Sequence, residues 1–312
     1  MRKRRKTNKK RMITISLFVS LFVITVGYSA FNTNINLKAK GNVLKDTNIE
    51  VDKKVPLNDL LFWGEANNKE NTLTTLKNKA NGSDGILNNF DNTETSGFNN
   101  DELVFDGVND FVNIGYAGYD FKNSISLVIY VDLDSSNRTD LHEFFGNWEY
   151  AGGGIALGNG KLFFNLYDNN KKDYILNYST QSVNYNQYQT YIGTFDGESL
   201  KLYINGTLDN IENMSNLKNS TLDILLGANP STTGAQYFTK MKLKEAILYD
   251  RALTEDGVKT LTEGFKKKYE NSWKYRITVC YTIILPSNYS IFTSIFLSFK
   301  PFFLNFLLIT FV

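Results

Sequence analysis

Two acids on one strand face, Asp132 and Asp134, come closer than any others in this 312-residue chain to a catalytic carboxylate pair. Retaining hydrolysis of a glycosidic bond needs carboxyls about 5 Å apart, a spacing that alternate residues of a strand can supply. Ser135, Ser136 and Asn137 follow directly, and such residues favour caps and turns, so the pair is expected to cap a loop. The single histidine, His142, would have to serve any Ser-His-Asp arrangement, yet TDLHEFFGNWEY places no nucleophile motif beside it. It is expected to be a polar residue on a half-exposed strand. The glycines of YAGGGIALGNG neither precede Gly-Lys-Ser/Thr nor open a helix, and they predict a turn rather than a phosphate cradle.

Residues suited to binding are easier to find than residues suited to catalysis. Trp148 and Tyr150, with Asn147 and Glu149 around them and glycines on both sides, pair aromatic faces that can stack on a sugar ring with groups that can bond its hydroxyls. The competing expectation is that Trp148 fills a gap at the edge of a packed core. Asp106, Asn109 and Asp110 have the oxygen donors that calcium takes, although Asp-Gly and Asn-Asp also serve turns by conformation alone. Asn205-Gly206-Thr207 matches a glycosylation sequon and is read as a turn.

The composition narrows the field. One cysteine, Cys280, and one histidine exclude intramolecular disulfides and leave too few ligands for a Cys/His zinc site, so calcium is the metal left open. The formal charge of +2 is misleading, because eight of the 34 basic residues fall within Arg2–Arg11. Without those eight, 26 basic residues face 32 acidic ones, a net −6 that argues against nucleic acid as a partner.

These residues need a scaffold, and the sequence predicts one made of strands. The basic start followed by the apolar run Met12–Val26 predicts a signal peptide or signal anchor over residues 1–30, with small residues Gly27 and Ser29 placed for cleavage. Residues 31–55 predict an extended arm or linker. From Pro56 on, short apolar or alternating runs close on Gly, Asn or Asp, with no helical pattern between them, which predicts an antiparallel sandwich. LKLYINGTLDN (200–210) alternates and then supplies Asn-Gly for a two-residue hairpin turn. One helix is predicted after Thr254, capped by that residue, with Glu255 and Asp256 in its first turn and Val258, Leu261 and Phe265 on one face. Lys266, Lys267 and Lys268 are expected at its C-terminal end, where cations are favoured. Residues 271–312 form a hydrophobic tail without acids from Tyr281 on, expected to be either a membrane segment over Tyr289–Val312, with Lys300-Pro301 at its middle, or a frameshifted end.

Four stretches in order resemble the laminin-G-like domains of bacterial surface proteins, within the concanavalin A-like lectin/glucanase jelly rolls. They are LVFDGVNDFVNIG (103–115), SISLVIYVDL (124–133), YQTYIGTFDGESLKLYINGTL (188–208) and LKEAILYDRALTEDGVKTL (243–261). Tyr130 stands where the family usually carries Trp, and Gln189 and Thr190 stand near its usual Trp-His pair. The resemblance implies an all-β, antiparallel two-sheet jelly-roll sandwich over residues 56–270, with one short C-terminal surface helix and the signal or anchor helix before it. Glucanases of the superfamily use a Glu-x-Asp-x-(x)-Glu strand, and no such spacing occurs here. The resulting expectation is an exported, non-catalytic cell-surface module that binds carbohydrate or a surface protein, with Trp148, Tyr150 and Asn147 as ligand-binding residues. A polysaccharide hydrolase with a divergent site, or a purely structural envelope or biofilm protein, is the alternative. The membrane would be a partner through the N-terminal segment or the tail.

Overall fold

The computed structural model describes residues 55–270 and the backbone of three later strands, so the predicted signal segment and all but the last residue of the arm lie outside the described residues. Two antiparallel sheets of eight strands each dominate the described part. The first sheet runs β14 (Thr207–Asn213), β13 (Ser199–Ile204), β12 (Tyr188–Phe195), β7 (Ile125–Leu133), β18 (Lys240–Tyr249), β5 (Glu102–Asp106) and β4 (Gly97–Asn99), with β1 (Leu60–Glu65) also paired to β18. The second runs β11 (Asp173–Tyr178), β10 (Lys161–Asp168), β9 (Gly153–Gly158), β8 (Leu141–Gly146), β15 (Ile224–Leu226), β6 (Phe111–Gly115), β3 (Gly85–Asn88) and β2 (Thr75–Leu76), while β16 (Asn229–Ser231) and β17 (Gly234–Gln236) pair with each other.

Alternation decides which side of each strand is dry. On β7, Ile125, Leu127, Ile129, Val131 and Leu133 join Phe164, Leu166, Ile155 and Leu157 of the second sheet in one core between the sheets. The opposite residues of β7, Val128 and Tyr130, point away from that core and form a second cluster with Ile192, Tyr203, Ile247 and Tyr249. Gly193 on β12 is required by close approach: a Cβ there would lie 2.5 Å from the Phe164 ring. Gly193→Val is therefore expected to destabilise the fold by about 2 kcal/mol, visible as a lower urea midpoint with an unchanged slope.

The second cluster exists because helix α1 (Glu255–Phe265) covers the outer face of the first sheet. Its N-cap Thr254 accepts a hydrogen bond from the Gly257 amide (3.2 Å), and Val258, Leu261 and Phe265 are buried, as the sequence pattern requires. Phe265 stacks on Tyr130 at 5.5 Å between centroids. The residues after it correct the sequence expectation. Lys266–Glu270 continue as a wider π-type turn, and Lys268 is no solvated helix end but is 2% exposed. Its ammonium contacts Glu65 (2.7 Å) and Glu245 (2.8 Å). Glu245 also accepts from Trp63 Nε1 (2.8 Å) and the Tyr269 hydroxyl (2.7 Å), and Lys79 pairs with Glu65 at 2.6 Å. Burial works to push the Lys268 ammonium down, but the two carboxylates outweigh it and hold it up.

The hairpin of β13 and β14 turns on Asn205 (φ 53°) and Gly206 (φ 83°), the left-handed pair that a tight turn demands. Asn205 also works sideways: its Oδ1 accepts from the Thr190 amide (3.0 Å), tying the turn to β12. In the tail, β19 (Arg276–Ile284), β20 (Ser290–Lys300) and β21 (Phe303–Leu304) pair antiparallel. Among the described residues no helix is long and apolar enough to cross a membrane, which does not bear on crossing by strands.

Candidate functional site

The register of β8 to β11 assembles the site. Pairing sets Phe163 against Tyr178, Asn165 against Leu176 and Tyr167 against Tyr174, and it sets Phe163 against Ala156 and Asn165 against Gly154. All share the outer face of the second sheet, because Leu162, Phe164 and Leu166 take the core side. Above this face the loop of residues 147–152 folds back and brings Trp148 edge-on to Phe163 (5.4 Å) and to Tyr174 (5.6 Å). Tyr174 meets Tyr167 at 5.1 Å, and Phe163 meets Tyr178 at 5.3 Å. The result is an unbroken aromatic row, Tyr178–Phe163–Trp148–Tyr174–Tyr167, ending under Lys218, whose ammonium sits 5.4 Å from the Tyr167 ring. Tyr178 is 41% exposed, while Trp148, Tyr167 and Tyr174 are half-buried, so the row presents ring surface to solvent along most of its length.

The loop that carries Trp148 is held by polar contacts. Glu149 Oε1 accepts from Gln236 Nε2 (2.8 Å), and the Glu149 carbonyl accepts from the Ser220 hydroxyl (2.6 Å). The Tyr174 hydroxyl donates to the Ala151 carbonyl (3.1 Å), and burial pushes that phenol up to about 12, so it stays a donor. Tyr150 (φ 53°) and Ala151 (φ 86°) are left-handed without being glycine, which turns Tyr150 outward to 59% exposure.

Of the three residues singled out from sequence, the structure brings Trp148 into the row and leaves Tyr150 exposed on the same loop. Asn147 does not join them: it is 6% exposed, and its amide is spent on the Leu222 carbonyl (3.0 Å). Tyr174, Tyr178, Phe163 and Tyr167 escaped the sequence reading. The signal was present in KLFFNLYD and DYILNY, where aromatics recur at intervals of four on both strands, and only the hairpin register shows that the two sets face each other.

The remaining candidates resolve into structural roles. Asp134 caps a 3-10 turn, its Oδ1 accepting from the Ser136 amide (2.9 Å), as expected, which lowers its carboxyl. Asp132 is raised by burial instead. His142 Nδ1–H donates to the Phe238 carbonyl (2.6 Å). Asp106 Oδ1 accepts from the amides of Val108 (2.7 Å) and Asn109 (3.3 Å), and Asp110 accepts from the Asp106 amide (2.8 Å) and the Ser96 hydroxyl (3.0 Å). Those oxygens build the turn. Among the described residues no group of three or more His, Cys, Asp or Glu side chains is placed to hold a metal ion.

Residues 106–259 match the laminin-G family model described as the concanavalin A-like lectin/glucanases superfamily. A search of curated proteins finds no match. Similar solved structures include the receptor binding domain of botulinum neurotoxin mosaic serotype C/D, with a TM-score of 0.53 and 14% identity over 78% of this chain and 62% of that one. Trypanosoma rangeli sialidase, solved with a difluorinated nononic acid, has a TM-score of 0.52 and 16% identity over 69% of this chain and 38% of the sialidase. The botulinum neurotoxin serotype C1 binding domain has a TM-score of 0.50 and 14% identity over 66% of this chain and 52% of that one. In each case this chain spans less than two thirds of the other protein, and at these identities the likeness is one of fold.

Proposed function

Because residues 106–259 belong to the concanavalin A-like lectin/glucanases superfamily, we propose that the chain is an exported cell-surface module that binds carbohydrate without catalysis. The observation that carries this reading is the aromatic row on the outer face of β8 to β11, with Trp148 at its centre. Sugar rings expose apolar C–H faces, and flat aromatic surface beside polar groups is the chemistry that recognises them. Glu149, Gln236 and Lys218 stand near the row as hydroxyl partners. Export rests on the basic, apolar N-terminal segment, and the absence of a paired carboxylate motif favours binding over hydrolysis.

A glycan array probed with the purified chain, with and without calcium, tests the proposal. Binding is expected to at least one glycan class, and Tyr178→Ala is expected to weaken it about tenfold, since losing one stacked ring costs on the order of 1 kcal/mol or more. Blank arrays in both conditions would overturn the carbohydrate assignment.

A further inference from the structure

Beneath the aromatic row lies a fully buried acid. Glu143 on β8 is 0% exposed, and neither of its carboxyl oxygens has a hydrogen-bond partner. The backbone N–H of Trp148 faces it and favours its charged form without closing a hydrogen bond. Its Oε1 lies directly over the Cα positions of Gly146 and Gly154, where a Cβ at either residue would collide with it. Asn165, also 0% exposed, reaches the same glycine: its Oδ1 accepts from the Gly154 amide (2.7 Å), while its Nδ2 has no partner. Native structures almost always satisfy buried polar groups, so two unsatisfied ones beside a single glycine floor call for an occupant.

We propose that Glu143 and Asn165 form a polar subsite for a hydroxyl of a neutral sugar, lying under Trp148 and opened when the 147–152 loop lifts. The proposal rests on the carbohydrate reading above and adds a second, deeper level to that site. A hydroxyl both donates and accepts, and the subsite offers both functions: the Asn165 amide donates, and a carboxyl kept neutral by burial donates through one oxygen and accepts at the other. A cation would gain from the carboxyl but meet the amide donor. The left-handed run Tyr150 (53°), Ala151 (86°) and Gly152 (68°) at the far end of the loop is where its backbone would change on lifting. The loop's anchors to Gln236 and Ser220 are hydrogen bonds that can exchange for water.

Titrating the full chain with methyl glycosides of glucose, galactose and mannose, followed by ligand-observed NMR, tests this. Glu143→Leu is expected to weaken binding about tenfold or more, whereas Glu143→Gln, which still donates and accepts, stays within about threefold of the parent. Near-UV circular dichroism of each variant checks that the fold is kept. If Glu143→Leu binds as tightly as the parent while Tyr178→Ala binds weakly, the aromatic row stands and the subsite falls, its polar atoms holding buried water only. If no methyl glycoside binds, or if Tyr178→Ala and Trp148→Ala have no effect, the carbohydrate reading falls and takes the subsite with it.

Discussion

Replacing Lys268 by methionine is expected to cost about 3–5 kcal/mol of folding stability, because it leaves two carboxylates facing each other in a site closed to water. Glu245 would keep its donors from Trp63 (2.8 Å) and Tyr269 (2.7 Å) but lose the ammonium at 2.8 Å. Glu65 would keep Lys79 at 2.6 Å. The loss should therefore concentrate on Glu245, and the double variant Lys268→Met/Glu245→Gln should recover much of it, since a neutral amide can accept from Trp63 through its oxygen and donate to the Tyr269 hydroxyl through its nitrogen. Chemical denaturation of the parent, the single variants Lys268→Met and Glu245→Gln, and the double variant measures the coupling directly. If the double variant is no more stable than Lys268→Met, the damage lies in lost packing around the lysine stem and not in an uncompensated charge.

The second large effect is one of pH. Burial, reinforced by the neighbouring Glu149 carboxylate and opposed by the Trp148 amide, raises the Glu143 carboxyl well above its ordinary 4.5. Below that ordinary value both the folded and the unfolded chain hold the proton, and the residue leaves stability unchanged. Above it the unfolded chain ionises while the folded one does not, so stability falls by about 1.4 kcal/mol per pH unit until the folded carboxyl itself titrates. Glu143→Gln removes this dependence. The variant and the parent should be close in stability near pH 4.5 and diverge as the pH rises above it, the variant being the more stable, until the folded carboxyl itself titrates. Parallel urea midpoints for the two proteins from pH 5 to pH 7 would show that Glu143 is ionised in the folded state, against this expectation. The same loss of the proton predicts that ligand binding at the Glu143 subsite weakens as pH rises.

The fold was largely legible in the sequence, and the site only in part. Strand alternation and turn residues report local geometry, which is why the Asn205-Gly206 turn, the Thr254 cap and the apolar face of α1 appear where the pattern puts them. Trp148 was found because a large aromatic among glycines is unusual in a loop. Its partners on β10 and β11 were not, because an aromatic on a strand looks the same in sequence whether it faces the core or the outside. Phe163 and Phe164 are adjacent in the chain, and only pairing with Ala156 and Ile155 shows that one belongs to the row and the other to the core. Charged residues were hardest of all. Lys268 lies in a run of three lysines that any sequence rule assigns to solvent, and its burial depends on Glu65, 203 positions earlier, and on Glu245. Glu143 gave no signal either, since nothing in LHEFFG announces an acid that meets no cation.

The pairing of β18 sets the order in which the domain can be built. This strand holds β7 on one side and both β5 and β1 on the other, so the middle of the first sheet is supplied by residues near the end of the domain. Trp63 reaches Glu245 across 182 positions of sequence. A chain emerging from the ribosome, or passing through a membrane pore from its N-terminus, carries β1 without a strand partner and β5 with β4 alone until Lys240–Tyr249 arrives. Closure by Lys268 comes later still. The sandwich therefore completes itself only once nearly all of residues 55–270 are present, and on the export proposed above that delay would keep the chain unfolded in transit.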